Sequence, residues 1–297
     1  MPAEGSYTQD FTGFPEPIPD SMLLIAEVHF AATKLDAVKS FFLKGLGARE
    51  AEAGDAASKR CCFSAGPSKL TVSEHGENSE SWPGQFYVWV QNIQETWQAC
   101  QELETELGQK VIDQAICNAD ERKADALVLK VPSSETVVIV NQAPKGYANK
   151  LYPQGALGNL LCVVDVEITV PPGTADKLHT FYRQTLISAV KKTEQGKFMV
   201  MFASGDYMRQ SLSFREDAAA ASKVSGLTLT MQMASRPKFT LVTSKLRKAG
   251  LLSEATAADA EEVQLQELVD PESGSVLLGL QQVIRAPQQT DPLLAGA

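Results

Sequence analysis

The stretch Glu27–Ala48, EVHFAATKLDAVKSFFLKGLGA, decides the fold. Its first residues alternate in the way of a half-buried strand, whose successive side chains face opposite ways. From Leu35 the period lengthens: Leu35, Val38, Phe41, Phe42 and Leu46 form one helical stripe, and Gly47 stands where a helix stops. Glu27 and His29 lie two residues apart on the strand, so both point to one face. That face carries an acid and an imidazole, either as working groups or as polar lining.

Beyond Gly47 the pattern becomes short strands, KRCCFSAG and SKLTVSE, joined by a turn at Gly66-Pro67-Ser68. It then starts again, with QFYVWV as a strand and NIQETWQACQELETELG as a helix capped by Asn92. ALVLKV and SSETVVIVNQ follow as further strands. The second half repeats the first. Phe41-Phe42 returns as Phe181-Tyr182, 140 residues on; FSAG (63–66) returns as FASG (202–205), 139 on; NQAP (141–144) returns as VIRAP, whose proline is 143 on. A near-constant offset over most of the chain is the mark of an internal repeat. The order of elements, a strand, a helix, then two or three strands, four times over, predicts an α+β fold with antiparallel strands backed by helices.

With this pattern in hand, the chain resembles the vicinal oxygen chelate superfamily of glyoxalase-like proteins. TKLDAVKSFFLKGLG is similar to the opening of that family's βαβββ module, and TADKLHTFYRQTL is similar to it again. DPESG (270–274) resembles the DPDG turn before the module's last strand, and VPSSE (131–135) is a degraded form of it. The resemblance implies tandem glyoxalase-like domains, four βαβββ modules with curled antiparallel sheets. The expected division is an extended N-terminal segment 1–22, domain 1 at 23–144, a linker at 145–158, domain 2 at 159–287 and a C-terminal tail 288–297.

The resemblance also implies a divalent metal held by the first and last strand of each module, acting as a Lewis acid. Carried over position by position, its ligands in the first half are Glu27, Thr71, Gln85 and Val138. In the second half they are Asp165 or Glu167, a residue near Ser211, Thr228 in preference to Leu227, and one of Val276, Leu277 and Leu278. No complete ligand set can be written in either half. No cofactor is therefore fixed; zinc, nickel, iron or manganese is what the family would use, with Glu27 and Gln85 as its metal-capable side chains. By strand parity one pocket is expected to be lined by Glu27, His29, Thr71, Ser73, Gln85, Tyr87 and Trp89. The other is expected to be lined by Asp165, Glu167, Ser211, Ser213, Thr228, Thr230 and Gln232. Glu27 and His29 are the catalytic candidates, a carboxylate and an imidazole able to share a proton; His75 and His179 read as solvated side chains.

Composition narrows the classes further. A net charge of −9 with no basic stripe leaves no footprint for nucleic acid. No run approaches the roughly 18 apolar residues of a membrane span. The first residues, MPAEGSYTQDFTGFPEPIPDS, lack the basic and apolar regions of a targeting peptide and read as an extended leader on a cytoplasmic protein. The five cysteines form no CxxC pair, which predicts reduced packing thiols. The acidic tract ATAADAEEVQLQE reads as solvated surface. The expectation is a glyoxalase-like protein with an incomplete metal set that binds a small molecule or a protein partner. A metal-dependent lyase, dioxygenase or isomerase working in the first domain, and a structural subunit, are the alternatives.

Overall fold

The structure is a computed structural model of the whole chain, described here for residues 22–52, 59–76, 81–117, 124–147, 158–193, 197–204, 208–252 and 260–287. The leader, most of the linker, the tail and the start of the acidic tract lie outside the described residues. The first round of elements is β1 (Met22–Ala32), α1 (Leu35–Ser40), β2 (Arg49–Glu52), β3 (Arg60–Ala65) and β4 (Ser68–Glu74). The second is β5 (Gln85–Val90), α2 (Ile93–Leu107), β6 (Ile112–Cys117), β7 (Ala124–Lys130) and β8 (Val137–Gln142). The third is β9 (Leu160–Val170), α3 (Ala175–Gln184), β10 (Ala189–Lys192), β11 (Phe198–Ser204) and β12 (Met208–Glu216). The fourth is β13 (Lys223–Met233), α4 (Arg236–Lys248), β14 (Glu262–Val269) and β15 (Val276–Arg285), with two strands after its helix among the described residues. Together they make a mixed α+β fold of repeated strand–helix–strand rounds.

Two sheets result, ordered β14-β15-β13-β1-β4-β3-β2 and β10-β11-β12-β9-β5-β8-β7-β6. Most pairs are antiparallel, but β5 runs parallel to β8 and β13 parallel to β15. The parallel pairs arise because the helix carries the chain across before its last strand returns to the first. By compactness the chain divides into two units, and the division falls inside two strands, after Val28 in β1 and after Val166 in β9.

Each unit has an aromatic core built on its repeated pair. In the first, α1 continues into a single π-helical turn, Phe41–Gly45, which turns both phenylalanines inward. Phe42 stacks on Phe63 at 4.7 Å and meets Phe41 edge-on at 5.1 Å, while Phe30 of β1 touches both Phe42 and Phe86 of β5. The turn ends at Gly47, whose φ of +63° and whose closeness to Asn159 leave no room for a side chain. In the second unit Tyr182 packs against Phe214 and Phe198, which stack on each other at 5.7 Å. Its hydroxyl accepts a hydrogen bond from Gln282 Nε2, and both residues are fully buried. Gln282 Oε1 finds no partner among the described residues.

The helix caps follow from sequence. Asn92 accepts hydrogen bonds from the backbone N–H groups of Gln94 and Glu95 at the start of α2, and Ser235 from that of Lys238 in α4. The DPESG turn is closed by the same chemistry: Asp270 Oδ1 accepts from Glu272 N, and Gly274 sits at φ +71°.

Candidate functional site

Strand alternation fixes which side chains face away from the core. Phe30 and Phe86 enter the core, so His29, Gln85, Tyr87 and Trp89 take the opposite face of their strands. In the second unit Phe214 stacks in the core and Leu229, Met231 and Met233 are fully buried, which leaves Ser211, Ser213 and Arg215 on the other face of β12 and Thr228, Thr230 and Gln232 on that of β13.

The expected first pocket divides between the two sheets. Glu27, His29, Thr71 and Ser73 stand on strands of the seven-stranded sheet, and Gln85, Tyr87 and Trp89 on one of the eight-stranded sheet. On β1, His29 Nε2 and Ser73 Oγ lie 2.6 Å apart, and next to them Cys62 Sγ and Thr71 Oγ1 lie 3.4 Å apart. The register pairs Cys62 with Thr71 and Arg60 with Ser73, so these side chains share one face. Glu27 is half-buried.

On β5, Gln85 Nε2 donates to Tyr87 OH at 3.1 Å. Tyr87 packs with Ile139, Cys162 and Val164, and Trp89, Val137 and Tyr147 flank them half-buried. Trp89 and Tyr147 meet edge to face at 4.5 Å. The result is a buried aromatic and apolar cluster whose edge, at Trp89, Val137 and Tyr147, is half-buried, with one amide–phenol pair at its end. Tyr147 escaped the sequence reading because it belongs to no strand; its single turn beyond Pro144 carries it there.

The expected second pocket also divides. Thr228 Oγ1 donates to Gln281 Oε1 at 2.9 Å on the seven-stranded sheet, where Thr230 and Gln232 are buried. Asp165, Glu167, Ser211 and Ser213 stand buried on the eight-stranded sheet. Glu167 is held by two cations: Lys197 Nζ lies 2.7 Å from Oε2 and Arg215 Nε 3.2 Å from Oε1.

His75 is exposed, in agreement with its reading as a solvated side chain. His179 is instead half-buried on α3 with its ring edge-on to Phe198, and desolvation, with Arg183 beside it, pulls its pKa below the ordinary imidazole value. The cysteines are free thiols. Burial pushes those of Cys61, Cys100 and Cys162 up to about 12. Because the thiolate is the reactive form, an aromatic disulfide reagent at pH 8 is expected to modify half-buried Cys117 first. Those three should stay silent until denaturant is added; fast labelling of Cys100 or Cys162 in the native protein would contradict their burial.

A second feature, absent from the sequence reading, is a polar crevice of about 500 Å3 at the start of α2, lined by Gln91, Asn92, Glu95, Gln142 and Asn159. Its groups are spent on one another. Asn159 Oδ1 accepts from Asn92 N and its Nδ2 donates to Thr96 Oγ1, while Gln142 Oε1 accepts from Ile93 N. It braces a helix start rather than offering a ligand free donors.

No protein-family model matches the sequence, and no curated protein does. Solved structures do. Glyoxalase I from Zea mays superposes with a TM-score of 0.55 over 90% of this chain and 92% of its own, at 11% identity. A candidate dioxygenase from Bacillus subtilis gives 0.61 over 92% and 86% at 9% identity, and the CppA protein from Streptococcus pneumoniae 0.52 over 90% and 100% at 10%. The chain has the fold of these proteins. At these identities the likeness is one of architecture, and the chemistry rests on this chain's own residues.

Several of the positions to which the resemblance carries metal ligands offer no available donor in this chain. Val138 is fully buried in the core and has no donor atom. Thr228 is tied to Gln281, Val276–Leu278 is apolar, and the Glu167 carboxylate is already neutralised. Among the described residues no three of His, Cys, Asp and Glu stand together as a metal would require.

Proposed function

We propose that the protein is a small-molecule-binding member of the vicinal oxygen chelate fold, its ligand held on the β5 surface rather than by a metal. One observation carries this reading: the half-buried rings of Trp89 and Tyr147 meet edge to face at the rim of the buried Tyr87, Ile139 and Val164 cluster, beside Gln85. Binding sites of this composition hold flat, largely apolar molecules, and one or two polar groups orient them. Here the amide–phenol pair of Gln85 and Tyr87 supplies that polar end, suited to a carbonyl or hydroxyl on the ligand's rim.

The test is a panel of small aromatic and aliphatic carbonyl compounds followed by tryptophan emission and by thermal shift. At least one class should quench emission and raise Tm, and Trp89→Ala should weaken it about tenfold or more, as loss of a central aromatic anchor does. One tightly held divalent metal per chain by elemental analysis, lost in Glu27→Ala, would instead favour a metal-dependent lyase or dioxygenase.

A further inference from the structure

The ion cluster on Glu167 is the feature that this reading leaves unexplained. Lys197 and Arg215 are not neighbours by accident of sequence. Lys197 stands just before β11, whose antiparallel register pairs Phe198 with Phe214, so one step further along the same ladder sets Lys197 opposite Arg215. Two like charges across a ladder repel. The anion that reconciles them is Glu167 of β9, one carboxylate oxygen to each cation.

The burial is graded. The Glu167 side chain is 5% exposed and that of Lys197 14%, whereas that of Arg215 is 55% exposed. Burying a charge is costly unless it is paired, and here both carboxylate oxygens have a cation in contact. Glu167 is also one of the two residues that stand at the first metal position of the third module. We infer that Lys197 and Arg215 supply, as fixed side chains, the positive charge that a bound divalent cation would give Glu167, and that this position is closed to metal. The inference rests on the metal-free reading above and deepens it. A ligand near Glu167 meets two cations on one carboxylate, a cluster of net positive charge, able to donate hydrogen bonds but not to act as a Lewis acid.

The full chain is the sample, and manganese(II) is the probe, with sodium chloride of equal ionic strength as control. The wild-type Tm should be the same in both salts. Lys197→Met with Arg215→Met should lower Tm in sodium chloride and recover part of the loss in manganese, as the cation takes up the exposed carboxylate. Adding Glu167→Gln to that pair should abolish the manganese response. If the double variant does not fold, Lys197→Gln alone gives the same comparison with one partner kept. A wild-type Tm raised by manganese and insensitive to it after Glu167→Gln would overturn the inference, as would charge-removed variants that respond to both salts alike. Ligand quenching of Trp89 emission reads the β5 surface separately, so either reading can fail without the other.

Discussion

Phe42→Ala is expected to cost about 3–5 kcal/mol of unfolding free energy, the range for removing a fully buried ring from a packed core. Phe42 has no exposed surface and is enclosed by Phe63, Phe41 and Phe30, two of them on strands and one on its own helical turn. None of these neighbours can collapse inward without leaving its strand or turn. Denaturant unfolding should show a lower midpoint at an unchanged slope. Phe42→Leu, which keeps most of the volume, should lose clearly less. A loss below about 1 kcal/mol for Phe42→Ala would mean that the site relaxes freely and the ring cluster is not the core.

Gly84→Ala is the second large effect, and its cause is crowding. A methyl group at Gly84 would stand 2.1 Å from Trp82 Cε2 and 2.3 Å from its Nε1. The indole is 2% exposed, and its backbone carbonyl accepts the Thr136 hydroxyl, so it has no easy retreat. Overpacking of this kind costs about 1–3 kcal/mol, and more where the neighbour is rigid. Gly84 O also accepts from Val137 N, next to the start of the β5–β8 ladder that pairs Gln85 with Val137. The variant should therefore shift Trp82 emission and weaken ligand binding on β5 together. Unchanged stability, with a native tryptophan spectrum, would refute the close approach.

The fold was legible where local chemistry and the repeat agreed. Phe41-Phe42 and Phe181-Tyr182 are the two core anchors, Gly47 ends its helical turn, and Asn92 caps α2, each for a reason visible in the residue itself. Period two also separates Thr228 from buried Leu227 and Leu229, and Gln85 and Trp89 from buried Phe86 and Val88. It could not say which strands become neighbours, because alternation fixes a side and not a partner. That is why Glu27 and Gln85, expected together, stand on different sheets. The Glu167 cluster was illegible for a related reason. A lysine beside a turn reads as solvated, and only the ladder register sets Lys197 across from Arg215. Asn159 was invisible as well, since its partners, Asn92 and Thr96, lie more than 60 residues away.

The hydrogen bond from Ile25 N–H to Gln210 Oε1 spans 185 residues of chain. On a ribosome adding about 5–20 residues each second, β1 emerges about 10–40 s before that partner exists. Throughout this interval, and until β13 follows, the edge of β1 opposite β4 is unfilled, the kind that other chains can pair with. The strand made first is thus completed almost last, and the yield of folded protein should depend on what shelters β1 during synthesis.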